Sequence, residues 1–553
     1  MMSAVPEALA SHLRLLAVAA VLAELLARSG EGVLPWWRAG RIHPLARWGL
    51  ATLVGFAGWG LAFLGLALAG LFTAPVLGSS VVAMAVALPE GRRGGPRLLD
   101  AGRAWARTGP APALALAVAG MLIASPALLR ESTFDSFVYH LGVPWQFLAA
   151  HKAVLSDIQL QFHFSLPIEM VYALPVALGD DRLARMLSVT AFVAANAVFA
   201  GRMLARGRPG AAWVGPLLTL SAPAIAWVAA MAKNDMAASA YFVAGALLTA
   251  DGAWALGAFL LGCAVAAKFA YAPMVAIWCL TVRPPHTRLR VAALGLIMPG
   301  LAWWAKTWLA TGTPIFPFTS VVFPSPFWGR FNQEAWEYYV RADWPADTLS
   351  AAGLPAAWAA HMSSDYLLAL LLLPGLVVLA PRRAAVVGVV AAMLATLATG
   401  HLARFLVPLV WWTCLAAAEA LERLPGAAGR WAGPALALVV LVEVAWDPWG
   451  QRPAWRLLVR SPSAQWGDFT TLKETIEKLD TLRARRLFVV GDLRSYPIPG
   501  RILFDGAIGE TPLVWRFAHE SRTTRRRSTG IPATGTWFWS TWPPGAAGWP
   551  CRR

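Results

Sequence analysis

Long apolar runs recur along this chain from residue 10 to residue 447, and they restrict its fold more than any motif does. A run of about 20 apolar residues is what an α-helix needs to cross a bilayer. In hydrocarbon every backbone N–H and C=O must be paired within the chain, which a helix does on its own. The runs fall at 10–28, 47–69, 72–89, 110–129, 183–201, 212–230, 236–250, 253–267, 270–282, 291–310, 364–381, 384–400, 403–422 and 430–447. That makes about 14 membrane helices, the short ones between 236 and 282 being either spanning, tilted or re-entrant. With 58% hydrophobic and 14% charged residues, a soluble fold has no use for so much apolar surface. The expected class is an all-α polytopic membrane protein with a small C-terminal extramembrane α/β piece.

The net charge of +17 invites a nucleic-acid reading. The basic residues argue against it, because they fill every second loop instead of forming a stripe. Arg38 and Arg41, Arg92 to Arg107, Arg202 to Arg208, Arg283 to Arg290, Arg382 with Arg383, and Arg423 with Arg430 mark one side as cytoplasmic. The segments 131–182, 231–235, 311–363 and 448–553 then lie outside, and 311–363 carries aromatic residues suited to headgroup depth. The four cysteines form no close pair, so neither a disulfide framework nor a zinc site is indicated. Residues 1–109 read as additional N-terminal helices with a basic loop, 110–447 as a membrane core, 448–521 as a small α/β segment, and 522–553 as a disordered or anomalous tail. In the α/β segment Arg486–Val490 and Arg501–Phe504 read as strands and Thr471–Leu482 as an amphipathic helix.

Ionisable groups at membrane depth cost roughly 2.5–3.5 kcal/mol on insertion scales, so each such group is a candidate for chemistry. Asp135 leads. It opens the outer loop 131–182, polar enough to sit in water though it holds helix-like apolar pieces at Val143–Ala150 and Leu166–Leu178, and Tyr139 and His140 follow it by about one helical turn. It serves either as a catalytic acid or as a helix cap. Asp235, in Lys233-Asn-Asp235, opens on the same side and is either a cap or a partner of Asp135. Two carboxylates converging there provide a divalent-cation site or a general base. Lys268 and Arg404 stand at outer helix ends, where they snorkel or pair structurally, or else hold a phosphate. Asp157, His163 and Glu169 populate the rest of the first outer loop, His163 standing among aromatic residues. No Walker loop, His-Glu-x-x-His motif or Gly-x-Ser-x-Gly elbow is present.

Taken in order, Phe134-Asp-Ser-Phe-Val-Tyr-His140, Phe164-Ser-Leu-Pro167 with Glu169, Lys233-Asn-Asp235 with Phe242, Ala266-Ala-Lys-Phe269, Trp304-Ala-Lys-Thr307 followed by Thr311-Gly-Thr-Pro-Ile-Phe-Pro317, and His401-Leu-Ala-Arg404 form a recognisable layout. It resembles the GT-C class of integral-membrane glycosyltransferases, nearest to the protein O-mannosyltransferase and aminoarabinose transferase branches. The resemblance implies transfer of a sugar from a polyprenyl-phosphate donor to a glycan, lipid or protein acceptor at the outer face of the inner (plasma) membrane. It implies Asp135 as general base or metal partner, Asp235 as its assistant, and Lys268 and Arg404 on the donor phosphate. Tyr139, His140, His163 and Glu169 are the further substrate-binding candidates. The chain departs from the family pattern at Ser136, where many members carry a second acid. Two other readings stand beside this one: a transporter or flippase of a lipid-linked intermediate, and a non-catalytic scaffold of envelope assembly.

Overall fold

The computed structural model describes residues 4–33, 42–87, 98–107, most of 124–329, 403–422 and two short strands, with a few scattered residues besides. The helices expected at 364–381, 384–400, 430–447 and 471–482, most of that at 110–129, the aromatic segment beyond 334 and the tail 522–553 lie outside the described residues. The described chain is mostly helical. Four of its helices are long and apolar enough to cross a membrane: Ala8–Gly32, Pro44–Leu68, Asp181–Ala205 and Arg404–Leu421. Strands Arg486–Val490 and Arg501–Asp505 pair in parallel, Arg486 opposite Arg501.

Asp181–Ala205 is the axis of the bundle. It is apolar on nearly every face, and almost all of it is buried, as such a helix must be. Its start is fixed by Asp180, whose carboxylate accepts from the Arg182 backbone N–H. Helices Pro44–Leu68, Pro209–Leu220 and Asn234–Ala250 pack around it. Backbones approach closely where side chains are absent: a Cβ at Gly49 would run into the Ala194 carbonyl. From the 403–421 segment, Trp411 stacks on Phe192 with centroids 5.0 Å apart and donates its Nε1 to Asn196 Oδ1 at 3.2 Å. Leu294, Ile297, Met298, Leu301 and Leu309, on the helix Leu289–Thr311, face outward, as side chains against lipid would.

Two expectations need correction. The single helix at 212–230 is two, Pro209–Leu220 and Pro223–Ala229. Pro223 forces the residue before it out of the helical region, and Ala222 is extended at φ −94°, ψ 105°. The loop 131–182 does not sit in water. Its turn Ser136–His140 and helices Gly142–Ala150 and Pro167–Ala177 bury Phe137, Val143, Phe147, Ile168 and Tyr172 in the bundle core. The close approach of Gly60, where a Cβ would lie 2.5 Å from the Pro167 carbonyl oxygen, lets that last helix dock. Burial of this much apolar surface is what pulls the loop inward.

Candidate functional site

The site is assembled by a buried polar frame at the N-terminal end of the axial helix. Arg185 is enclosed and donates to the carbonyls of Ala230, Leu129 and Arg130, each at 2.6 Å. Asp181 Oδ2 accepts from the Glu131 N–H at 2.5 Å. Glu131 in turn accepts from Ala232 N at 2.7 Å with one oxygen and from Thr133 N at 2.9 Å with the other. Ser136 Oγ donates to Ala232 O at 3.1 Å, and the Tyr172 hydroxyl donates to Lys233 O at 2.7 Å. These bonds clamp the segment carrying Asp135 to the turn carrying Lys233 and Asp235. Each satisfies a backbone or side-chain group that burial would otherwise penalise by about 1–3 kcal/mol.

On this frame lies a chain of alternating charges. Lys233 Nζ is 3.1 Å from Asp135 Oδ2, and Arg404 Nη1 is 2.6 Å from the same oxygen. Arg404 Nε stands 3.9 Å from Asp235 Oδ1, which also accepts from Lys268 Nζ. Three cations thus face two carboxylates. Asp235 is enclosed in the first turn of Asn234–Ala250, where its charge suits the helix N-terminus. Lys268 reaches it because the chain breaks there. The helix Trp254–Ala267 ends at Lys268 in extended conformation, φ −150°, ψ 100°, before a short turn and the helix Ala272–Val282. Asn234 Nδ2 takes up the freed Ala267 carbonyl at 3.1 Å. The Phe405 ring lies under both Lys268 and Arg404, 4.3 and 5.6 Å from its centroid. Asp135 is the most open member, its side chain 30% exposed. Burial pushes its carboxyl up, but Lys233 and Arg404 outweigh that and hold it well below the usual carboxylate range.

Asp135 leads into a turn of π-helix, Ser136–His140, closed by the Leu141 N–H on the Ser136 carbonyl. Such wide turns cluster at functional sites. His140 and Glu169 form a fully buried pair, Nδ1 to Oε1 at 2.7 Å. Tyr139 stacks on His140 with centroids 3.9 Å apart and meets Phe164 edge-on. Burial and the Asp135 charge keep its phenol protonated far above the ordinary range. His163 is placed among aromatic rings, 5.7 Å from Phe316 and 4.7 Å from Phe327, with its carbonyl accepting from Thr307 Oγ1. Next to it Lys306 Nζ donates to the carbonyls of Phe162 and Phe164.

Asp135, Asp235, Lys268 and Arg404 therefore share one cluster. His140 and Glu169 stand behind Asp135, Tyr139 covers them, and His163 belongs to the aromatic wall. Lys233, Glu131 and Arg185 are the members that the sequence reading did not select. A charge in the first turn of the apolar run 183–201 was the available signal for Arg185. Among the described residues no three His, Cys, Asp or Glu side chains come together, and both carboxylates already face ammonium or guanidinium groups. No family model, curated protein or solved structure matches the chain.

Proposed function

We propose that this protein is a membrane glycosyltransferase that moves a sugar from a polyprenyl-phosphate donor to a glycan, lipid or protein acceptor at the outer face of the membrane. The observation that carries the reading is the chain Lys233–Asp135–Arg404–Asp235–Lys268, which leaves one positive charge in excess among apolar helices. A lipid phosphodiester brings one negative charge to balance it. Arg404 offers a planar fork and the two lysines offer point charges, the donor set that phosphate oxygens take. As the sugar–phosphate bond breaks, the same cations stabilise the charge gathering on the departing phosphate. A phosphate that draws Arg404 and Lys233 to itself also relieves Asp135 of the charges that hold its proton affinity down. Asp135, on the open side, then accepts the acceptor's hydroxyl proton.

Sidedness follows the basic loops. Arg202 and Arg206 pair with Asp251, and Arg208 with Glu419, at the C-terminal end of the axial helix. The cluster's frame starts at Asp181, about 37 Å away along the same helix at 1.5 Å per residue. That distance suits opposite faces of one bilayer, with the arginine-rich end in the cytoplasm of a plasma-membrane protein.

A second reading, a flippase for a lipid-linked intermediate, draws on the breaks at Ala222 and Lys268, since interrupted helices form binding sites in transporters. Proteoliposomes loaded with a polyprenyl-phosphate hexose separate the two. Free polyprenyl phosphate appearing with time supports the transferase. Intact donor crossing the bilayer without cleavage supports the flippase and refutes the proposal.

A further inference from the structure

We infer that the buried pair His140–Glu169 is the proton sink behind Asp135, the place where the acceptor's hydroxyl proton comes to rest. The inference deepens the glycosyl-transfer reading and rests on it. Asp135 alone is a poor resting place for a proton. Its carboxylate is ion-paired to Lys233 and Arg404, and both favour the charged form. His140 is differently placed. Its Nδ1 lies 2.7 Å from Glu169 Oε1, so the neutral ring carries its hydrogen on Nδ1 and donates it to the carboxylate. That leaves the Nε2 lone pair to accept a proton. Among the described residues Nε2 has no hydrogen-bond partner, and neither has Glu169 Oε2, although both atoms are buried. Buried polar atoms without partners are rare in folded proteins, and each asks for a role.

The π turn supplies the connection. Asp135 stands immediately before it and His140 is its last residue, and the two side chains are near enough for the Asp135 charge to bear on the ring. The charges that bear on His140 come from three elements: Asp135 from its own turn, Glu169 from the helix Pro167–Ala177, and Lys233 from the turn before Asn234–Ala250. Lys306, on Leu289–Thr311, acts on Glu169. Burial is the largest influence and lowers the proton affinity of His140, against the pull of Glu169. At neutral pH the ring is therefore uncharged and ready to accept.

The transfer then balances. The acceptor oxygen forms a bond to the sugar's anomeric carbon while the bond from that carbon to the phosphate oxygen breaks, its electron pair remaining on the phosphate. The hydroxyl proton passes to Asp135 and on to His140 Nε2, giving an imidazolium whose charge Glu169 offsets. Asp135 meets the acceptor, His140 takes the proton from it, and Glu169 acts through His140 as a positioning residue.

The test is the pH dependence of donor consumption in proteoliposomes holding a polyprenyl-phosphate hexose, with released polyprenyl phosphate as the readout. In wild type the rate should fall on acidification through a value below 6.5, the ordinary histidine value, as His140 takes up a proton. His140→Gln should lower kcat by roughly 10²-fold, the usual contribution of a proton acceptor, and abolish that acidic limb. Glu169→Gln should keep the limb and move it to lower pH, because the lost carboxylate had favoured the imidazolium. A purely structural role would lower the rate of Glu169→Gln without moving its limb, and this outcome overturns the inference even where His140→Gln fails to fold. Wild-type turnover with an unchanged limb in a folded His140→Gln variant also overturns it while leaving the transferase reading intact. Absence of turnover in folded wild type overturns both.

Discussion

Arg404 reaches two carboxylates from a position 269 residues after Asp135, and its removal gives a measurable signature that needs no knowledge of substrate. Its side chain is 18% exposed. In Arg404→Ala, Asp135 keeps Lys233 and Asp235 keeps Lys268, so neither carboxylate is left alone. Breaking a fully buried pair costs roughly 3–5 kcal/mol; with the remaining lysines and the open side of Asp135, a cost of about 2 kcal/mol is expected here. Asp135→Asn should also destabilise, since Lys233 and Arg404 would then repel each other without a carboxylate between them. The double variant removes both members of one contact together, so its loss should be smaller than the sum of the two single losses by about 1 kcal/mol or more. Thermal unfolding of the four proteins in one detergent measures this coupling. Losses that simply add would refute the claim that the 2.6 Å contact is an energetically real link in the charge chain. Arg404→Lys should fall between wild type and Arg404→Ala, because an ammonium reaches one carboxylate where the fork reaches two.

Other outcomes follow from the same geometry. Arg185→Met removes three donors from buried carbonyls and should cost about 3–5 kcal/mol, read as a large drop in unfolding temperature, whereas the exposed Arg103→Met should change little. Asp135 has its proton affinity lowered in the folded protein, so its contribution to stability is present above the ordinary aspartate value and is lost as pH falls below that value toward the folded one. Unfolding temperature measured from pH 5 downward should therefore decline, and Asp135→Asn should make the decline shallower.

Much of the helical framework is legible in the sequence because run length alone dictates it. Pro44–Leu68, Asp181–Ala205 and Leu289–Thr311 begin and end within a few residues of the apolar runs that announce them. The break at Ala222 was signalled by Pro223, but in a continuous apolar run the hydropathy outweighed it. The inward folding of residues 131–182 was not legible, because its apolar pieces are short and only their packing against Gly60 and the axial helix shows where they go. At the site, residue types at helix ends and their common side of the membrane pointed to Asp135 and Asp235 as converging carboxylates and to Lys268 and Arg404 beside them. The ion pairs that join the four depend on contacts between residues far apart in sequence, and spacing carries no information about those. Lys233 enters the sequence reading only as part of Lys233-Asn-Asp235, with no role of its own; in the structure it is buried over Trp227, 5.0 Å from the ring centroid, and pairs with Asp135. The pairing of His140 with Glu169 depends on a π turn, for which the sequence has no pattern.

The most direct test of the central claim is sugar release from a panel of polyprenyl-phosphate sugars in proteoliposomes, by wild type and by Asp135→Asn, each assayed folded and below its own unfolding temperature. Release by wild type and its loss in the variant is the predicted result. Equal release by both would take the chemistry away from Asp135, and no release from any donor by the folded protein would contradict the account.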